Sequence, residues 1–278
     1  MEGTAIKWIR AVDGTELALH YWAPAEPRAA LFYIHGIQSH AGWLFETGPQ
    51  LAARDVAVVA LDRRGSGRSG GERGHVATLE LLLSDYLMGI KAAREVVPDA
   101  PLAMLGQSLG GSVLAGLCTS GQLRAEALIF CAPALGQQRA RHDPEKLGRF
   151  RACRGLSRSA VTLKDEDYTE EEVYLRFMSA DTLMLREVTD STRSTLVHLE
   201  DAYAETGATL RVPTFLAAPE CDPIIDLAVA RRWLGKLIGP YRETVFATTH
   251  HYIEFSRQQK SYWDWLAACA IPVEELQR

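Results

Sequence analysis

Residues 101–121, PLAMLGQSLGGSVLAGLCTSG, constrain this chain more than any other stretch. Leu102, Ala103, Met104 and Leu105 form a short apolar run behind Pro101 and read as a buried strand. GQSLG follows at 106–110, and the small residues at 111–117 continue as a helix. Strand, G-x-S-x-G, helix is the context of a nucleophile elbow, a sharp turn that lifts a serine hydroxyl above a sheet. Glycine at 106 and 110 leaves room for the strand and the helix to cross closely. Ser108 is therefore the candidate nucleophile, and a hydrolase acting through a serine is the expectation.

A random chain of this length would hold roughly 0.1 G-x-S-x-G matches at ordinary glycine usage. This one holds two. The second, GRSGG at 67–71, lies in the glycine- and arginine-rich loop DRRGSGRSGGERGH at 62–75, outside any strand-to-helix turn. Ser69 is read as a turn residue.

The rest of the chain alternates strands with helices. Residues 4–22 read as two alternating strands around the turn Asp13-Gly14. AALFYI at 29–34 is a buried strand that runs into His35-Gly36, and residues 43–54 have helical spacing. VAVVAL at 56–61 is the next strand, 78–97 a long amphipathic helix, and ALIFC at 127–131 another strand. This alternation predicts an α/β fold, a parallel sheet with helices on both faces.

The pattern shifts after residue 135. Arg139, Arg141, Lys146, Arg149, Arg151, Arg154 and Arg158 form a basic stretch, and DEDYTEEE at 165–172 then carries the acids. Helices are expected near 170–179 and 195–203, with no strand signal. The sheet resumes with TFLAA after Pro213, a helix near 227–237, a strand at 243–247 and a last helix at 263–270. The expected organisation is a core of residues 1–134 and 210–278 with a helical cap inserted at 135–209.

Composition excludes several classes. A net charge of −5 gives no general reason to expect nucleic acid as a partner. No run of about 18 apolar residues is present to span a membrane. The first residues lack the layout of a signal peptide. Five cysteines, widely spaced and without C-x-x-C, argue against a disulfide framework or a zinc site and for a reducing cytoplasm. No metal and no cofactor are expected.

A serine hydroxyl needs a base within hydrogen-bond reach and a third group to orient that base. In a sheet of this kind the partners follow in the order Ser, acid, His, each just beyond a strand end. Asp222 follows the TFLAA strand, with Glu220 and Asp226 as reserves. His250 and His251 follow the ETVFA strand, whereas His198 falls within the insertion. The two oxyanion donors expected are the backbone N–H of Leu109, next to the nucleophile, and that of Ile37, in the loop after AALFYI. Gly36 and Gln107, which flank these donors and the nucleophile, are candidate substrate-binding positions. His35, His40, Asp62 and His75 read as loop-shaping or surface residues.

These residues resemble the α/β-hydrolases of the monoacylglycerol lipase and lysophospholipase type. DGTEL at 13–17 with HYW at 20–22 is similar to that group's opening strand pair. HGIQSH at 35–40 is similar to its H-G-x-x-x-H loop, and residues 62–74 to its D-x-x-G-x-G-x-S…G-x-R-G loop. GQSLGG at 106–111 matches its elbow, and Pro213-Thr214 leads toward its acid at Asp222. The likeness covers residues 12–135 and 210–256. An aromatic residue commonly lies five positions before the family's histidine, as Phe246 does before His251, which favours His251 over His250. The family often reads H-E-x-x-x-E from that histidine; this chain reads HYIEFS at 251–256, and Leu109 stands where methionine is common.

The resemblance implies an α/β-hydrolase fold, an eight-stranded mostly parallel sheet with an inserted helical cap. It also implies cleavage of a monoacylglycerol- or lysophospholipid-like ester through an acyl-enzyme on Ser108. The partner would be a small-molecule acyl ester. A thioesterase or acyltransferase would use the same residues, and a catalytically silent ligand-binding member would keep the fold. The basic stretch has two readings: an attraction for an anionic membrane surface or a phosphate-bearing substrate, or a solvated face neutralised by the acids after it.

Overall fold

A computed structural model of the chain describes residues 5–207 and 211–272. Asp13-Gly14 closes the first hairpin. The Asp13 carboxylate accepts the Thr15 amide, and Gly14 takes a φ of +87° that glycine tolerates without strain. The strands it joins are β1 (Ala5–Arg10) and β2 (Glu16–Trp22), paired antiparallel. The expected start of β1 at Thr4 and the expected cap boundary between 209 and 210 lie outside the described residues.

Next come β3 (Ala29–Ile34), α1 (Thr47–Ala52), β4 (Val56–Leu61), α2 (Leu79–Val96), β5 (Leu102–Gln107), α3 (Leu109–Thr119) and β6 (Ala127–Cys131). The helical spacing at 43–54 resolves into two pieces, a 3-10 turn at Ala41–Leu44 and the short α1. Gly48 is pressed against the Trp22 indole at the start of α1, so helix entry is fixed by packing rather than by periodicity. Thr78 caps α2 by accepting the Leu81 amide. Leu82, Tyr86, Ile90 and Ala93 then line its buried face.

After β6 the chain leaves the sheet. It forms α4 (Gln137–Arg141), α5 (Pro144–Ala152), β7 (Arg158–Ala160), α6 (Asp165–Tyr168), α7 (Glu172–Ala180), β8 (Glu187–Thr189) and α8 (Asp190–Glu205). The pairing of β7 with β8 corrects the expectation of no strand here. Three residues per strand leave no period to read, and the partners stand far apart in sequence. The sheet resumes with β9 (Thr214–Pro219), α9 (Leu227–Ile238), β10 (Arg242–Phe246) and α10 (Gln259–Ala270).

The main sheet has eight strands in the order β1-β2-β4-β3-β5-β6-β9-β10. β2 runs antiparallel to β1 and β4; every pairing from β4 to β10 is parallel. Strand alternation divides the core. Ala30, Phe32 and Ile34 of β3 face the cluster with α2, α3, α8 and α9. Leu31 and Tyr33 face the opposite cluster with α1 and α10. A third cluster packs Tyr168, Tyr174 and Met178 of α6 and α7 onto Trp43, Tyr252 and Phe255, and so docks the inserted elements on the carboxyl ends of the strands. Ligands of open α/β sheets bind at that edge.

Candidate active site

Ser108 connects β5, a central strand, to α3. Its backbone sits at φ +54° and ψ −119°. A non-glycine residue held there stores about 1–3 kcal/mol and persists only where its surroundings over-determine it. They do so here. The Ser108 amide donates to the Cys131 carbonyl at 3.0 Å, and its own carbonyl accepts from the Gly111 and Ala134 amides at 2.9 and 2.8 Å. A Cβ on Gly106 would lie 2.5 Å from the Gly110 carbonyl oxygen. One on Gly110 would fall on the Ile34 carbonyl, and one on Gly111 on Pro133. The glycines are therefore a condition of the helix crossing the sheet this closely.

Asp222 and His251 meet across the ends of β9 and β10. Asp222 Oδ2 stands 2.7 Å from His251 Nδ1, and both side chains are sealed from solvent. Asp222 Oδ1 accepts the amides of Ile224 and Ile225 at 2.8 and 2.9 Å. Burial pushes the Asp222 carboxyl up, but the imidazole and the two amides outweigh it and hold it below the usual carboxylate range. His251 Nε2 has no hydrogen-bond partner among the described residues, so Ser108 Oγ is not bonded to it in this state. Of the reserves, Glu220 is exposed and Asp226 caps α9. The His250 ring meets the Thr249 hydroxyl at 3.4 Å, and the His250 amide donates to the Thr248 hydroxyl at 3.4 Å.

The loop after β3 is anchored from below. Arg63 Nη1 and Nη2 donate to the carbonyls of Gly36 and Ile37 at 3.0 and 2.8 Å. His35 Nε2 accepts the Arg63 amide, which leaves the proton on Nδ1 to donate to the Gly36 carbonyl at 2.8 Å. Burial, helped by Arg63, pushes the His35 pKa down to about 3, so the ring stays neutral in this role. Across a trans peptide the carbonyl and the next N–H point oppositely. Tying down the Gly36 carbonyl thus turns the Ile37 amide the other way. Nothing in the local sequence marks Arg63 for this task.

Ile37, Ser108 and Leu109 line a cavity of about 380 Å³. Phe150, Val161, Leu163, Val188 and Leu196 of the inserted elements wall it, with Ile224 and Ile225 beside Asp222. Gly36 and Gln107 are buried under this lining; Gln107 Nε2 has no partner among the described residues. His198 lies in α8, away from the cavity. Ser69 is occupied otherwise, its hydroxyl donating to the Asp62 carbonyl and accepting the Ala18 amide. Asp62 accepts the amides of Ala41 and Arg68, as expected of a turn acceptor.

The insertion is fastened to the site by polar contacts. Asp181 Oδ2 accepts from His40 Nε2 at 2.9 Å and from Trp43 Nε1 at 2.8 Å. The amides of His251 and Tyr252 donate to the carbonyls of Asp167 and Tyr168, both at 3.0 Å. The Tyr168 ring stands edge-on to the His251 ring.

Beneath the histidine loop Glu254 is fully buried, bonded by the hydroxyls of Tyr33 and Thr47, each at 2.8 Å. Burial raises its pKa from 4.5 to about 7 against the pull of those two bonds. A carboxyl raised in the folded state binds its proton more tightly there than in the unfolded chain. Its contribution is therefore present at low pH and is lost as pH rises from about 4.5 through about 7. Glu254→Gln removes that dependence. Relative to wild type, the variant should gain about 2–3 kcal/mol of unfolding free energy between roughly pH 5 and pH 8, measured by urea unfolding at both. A constant difference at the two pH values would refute it.

Among the described residues no group of three or more His, Cys, Asp or Glu is placed to hold a metal ion, and all five cysteines are free. No helix there is long and apolar enough to cross a membrane.

Residues 25–253 match the family described as serine aminopeptidase, S33. The chain belongs to that family. A monoacylglycerol lipase of Mycolicibacterium smegmatis is 30% identical over 125 residues, 45% of each chain. A monoglyceride lipase of Mus musculus is 35% identical over 102 residues, 36% of this chain and 34% of the relative. The match thus spans less than half the length of either relative. Phospholipase YtpA of Bacillus subtilis is 27% identical over 236 residues, 80% of this chain and 88% of that protein. A soluble variant of Saccharomyces cerevisiae monoglyceride lipase, solved with a substrate analogue, superposes with a TM-score of 0.81 at 14% identity over 96% of this chain and 95% of that one. The chain has the α/β-hydrolase fold, with the eight-stranded mostly parallel sheet expected of it.

Proposed function

We propose that this protein is a serine hydrolase of carboxylic esters, with Ser108 as nucleophile, His251 as base and Asp222 as orienting acid. The observation that carries the reading is the sealed Asp222–His251 pair together with a serine strained at φ +54° on a cavity wall. Ser108 Oγ attacks the acyl carbonyl as His251 Nε2 takes its proton, and the amides of Leu109 and Ile37 hold the oxyanion. His251 then returns the proton to the leaving alcohol. Water, activated by the same imidazole, releases the acyl group. The unpartnered His251 Nε2 is compatible with this scheme, since catalytic hydrogen bonds often form or tighten only when substrate is bound.

Residues 135–209 act as the cap that roofs the cavity over a core of 1–134 and 210–278. The names of the relatives favour a monoacylglycerol- or lysophospholipid-like ester as substrate. Five free thiols fit a reducing compartment such as the cytoplasm. No step calls for a cofactor.

A fluorophosphonate probe tests the nucleophile directly. Mass spectrometry should find one covalent adduct, on the peptide that contains Ser108. An unlabelled protein that still binds acyl ligands would make it a silent binding member of the fold. Labelling at Ser69 would overturn the assignment. A panel of oxygen esters and thioesters, with and without an alcohol acceptor, separates hydrolase from thioesterase and acyltransferase.

A further inference from the structure

Most cations of the inserted segment that lie away from the cavity are ion-paired: Arg139 and Arg151 with Asp201, Arg149 with Glu145, Arg158 with Glu72, Arg176 with Glu172 and Arg186 with Asp165. Arg154 and Lys164 are in no ion pair among the described residues; Arg154 donates to the carbonyls of Arg151 and Cys153 and to the Ser194 hydroxyl. Arg141, Lys146 and Arg193 line the cavity, and among the described residues none of the three is in an ion pair. No carboxylate lines that cavity.

Their other contacts leave charge to spare. Arg141 donates to the Gln137 side chain and the Ile224 carbonyl, and feels Asp222, Asp226 and Glu200 at longer range. Lys146 stands over the Phe150 ring, 5.6 Å from its centre. Arg193 holds the Ser159 hydroxyl and the Ala160 carbonyl and also approaches Phe150. His142 also lines the cavity, its Nδ1 buried with no hydrogen-bond partner among the described residues. A partly enclosed site with three cations and no carboxylate among its lining residues favours an anion, and guanidinium groups match the oxygens of phosphate and carboxylate.

We infer that Arg141, Lys146 and Arg193 select an ester that carries an anionic group, a phosphate monoester or a carboxylate, in preference to its neutral counterpart. This deepens the ester-hydrolase reading of Ser108 and rests on it. The apolar walls take the hydrocarbon part while the three cations hold the charge.

Two matched pairs of short, monomeric substrates test this: 1-hexanoylglycerol 3-phosphate against 1-hexanoylglycerol, and the 4-nitrophenyl monoester of glutaric acid against 4-nitrophenyl pentanoate. At low salt kcat/KM for the anionic member of at least one pair should exceed its neutral partner by about tenfold. Added salt should shrink that ratio. The favoured pair tells phosphate from carboxylate. Arg141→Gln and Lys146→Gln should each move the ratio toward one. Lys146→Gln is the safer variant for folding, because among the described residues the ammonium group bonds no backbone atom and stands only over the Phe150 ring. Ratios at or below one in both pairs, or a preference unmoved by either variant, would overturn the inference.

Absence of all hydrolysis and of probe labelling would instead count against the hydrolase reading. Calorimetry on Ser108→Ala then decides the anion question separately. Tighter binding of the phosphate ester by about tenfold supports the inference, and equal or weaker binding refutes it.

Discussion

Ser108→Ala is expected to lower kcat for ester hydrolysis by about a million-fold, the scale seen when a serine nucleophile is lost from a triad. The fold should survive. The Ser108 side chain makes no capping hydrogen bond, and the backbone bonds to Cys131, Gly111 and Ala134 that hold the elbow do not involve the hydroxyl. Alanine at the same positive φ carries about the same strain, so the thermal midpoint should move little. The cavity walls and the two amides proposed to hold the oxyanion, those of Ile37 and Leu109, also remain. A residual rate of about 10³–10⁴ over water is therefore the expected floor rather than zero. Substrate should still bind to the variant, so that single-turnover rate collapses while Kd holds. Steady-state rates beside equilibrium binding of the same ester give both numbers. A variant that keeps a tenth of the activity would remove Ser108 from the proposed role.

Much of this arrangement is legible in the chain because it is local. The elbow is spelled out within six consecutive residues, since the crossing of β5 and α3 tolerates only glycine where Ile34, Gly110 and Pro133 press in. Buried parallel strands read as unbroken apolar runs, and β3, β4 and β5 are buried along their whole length. The pairing of Asp222 with His251 follows from strand order, because both sit just past neighbouring strand ends. Contacts between distant segments have no such signature. Asp181 meets His40 and Trp43 across about 140 positions, and Arg63 reaches back to Gly36 and Ile37 by way of tertiary packing alone. The inserted segment is hardest to read. Its short helices α6 and α7 are set by docking against Trp43, Tyr252 and Phe255, and its three-residue strands by pairing with each other, not by their own periodicity.

Asp222→Asn should cost about 10⁴-fold in kcat near neutral pH with the fold intact, the cost known for this exchange in a serine protease triad. The reason lies in how the two carboxylate oxygens are used. Oδ1 is pinned by two backbone donors, the amides of Ile224 and Ile225. An asparagine side chain must keep its oxygen there, because turning round would set its NH₂ against those N–H groups. The NH₂ then faces His251 Nδ1 in place of Oδ2. Two donors cannot share one hydrogen bond, so the imidazole answers with the Nδ1 lone pair and carries its proton on Nε2. That nitrogen, without a hydrogen-bond partner among the described residues, is the one proposed to take the Ser108 proton, and in this tautomer it has no lone pair to offer. The negative charge that would stabilise an imidazolium is lost as well. Probe labelling should slow in parallel with turnover, since both need the activated serine, while urea unfolding changes little. Turnover within tenfold of wild type would mean that something other than Asp222 sets the tautomer of His251.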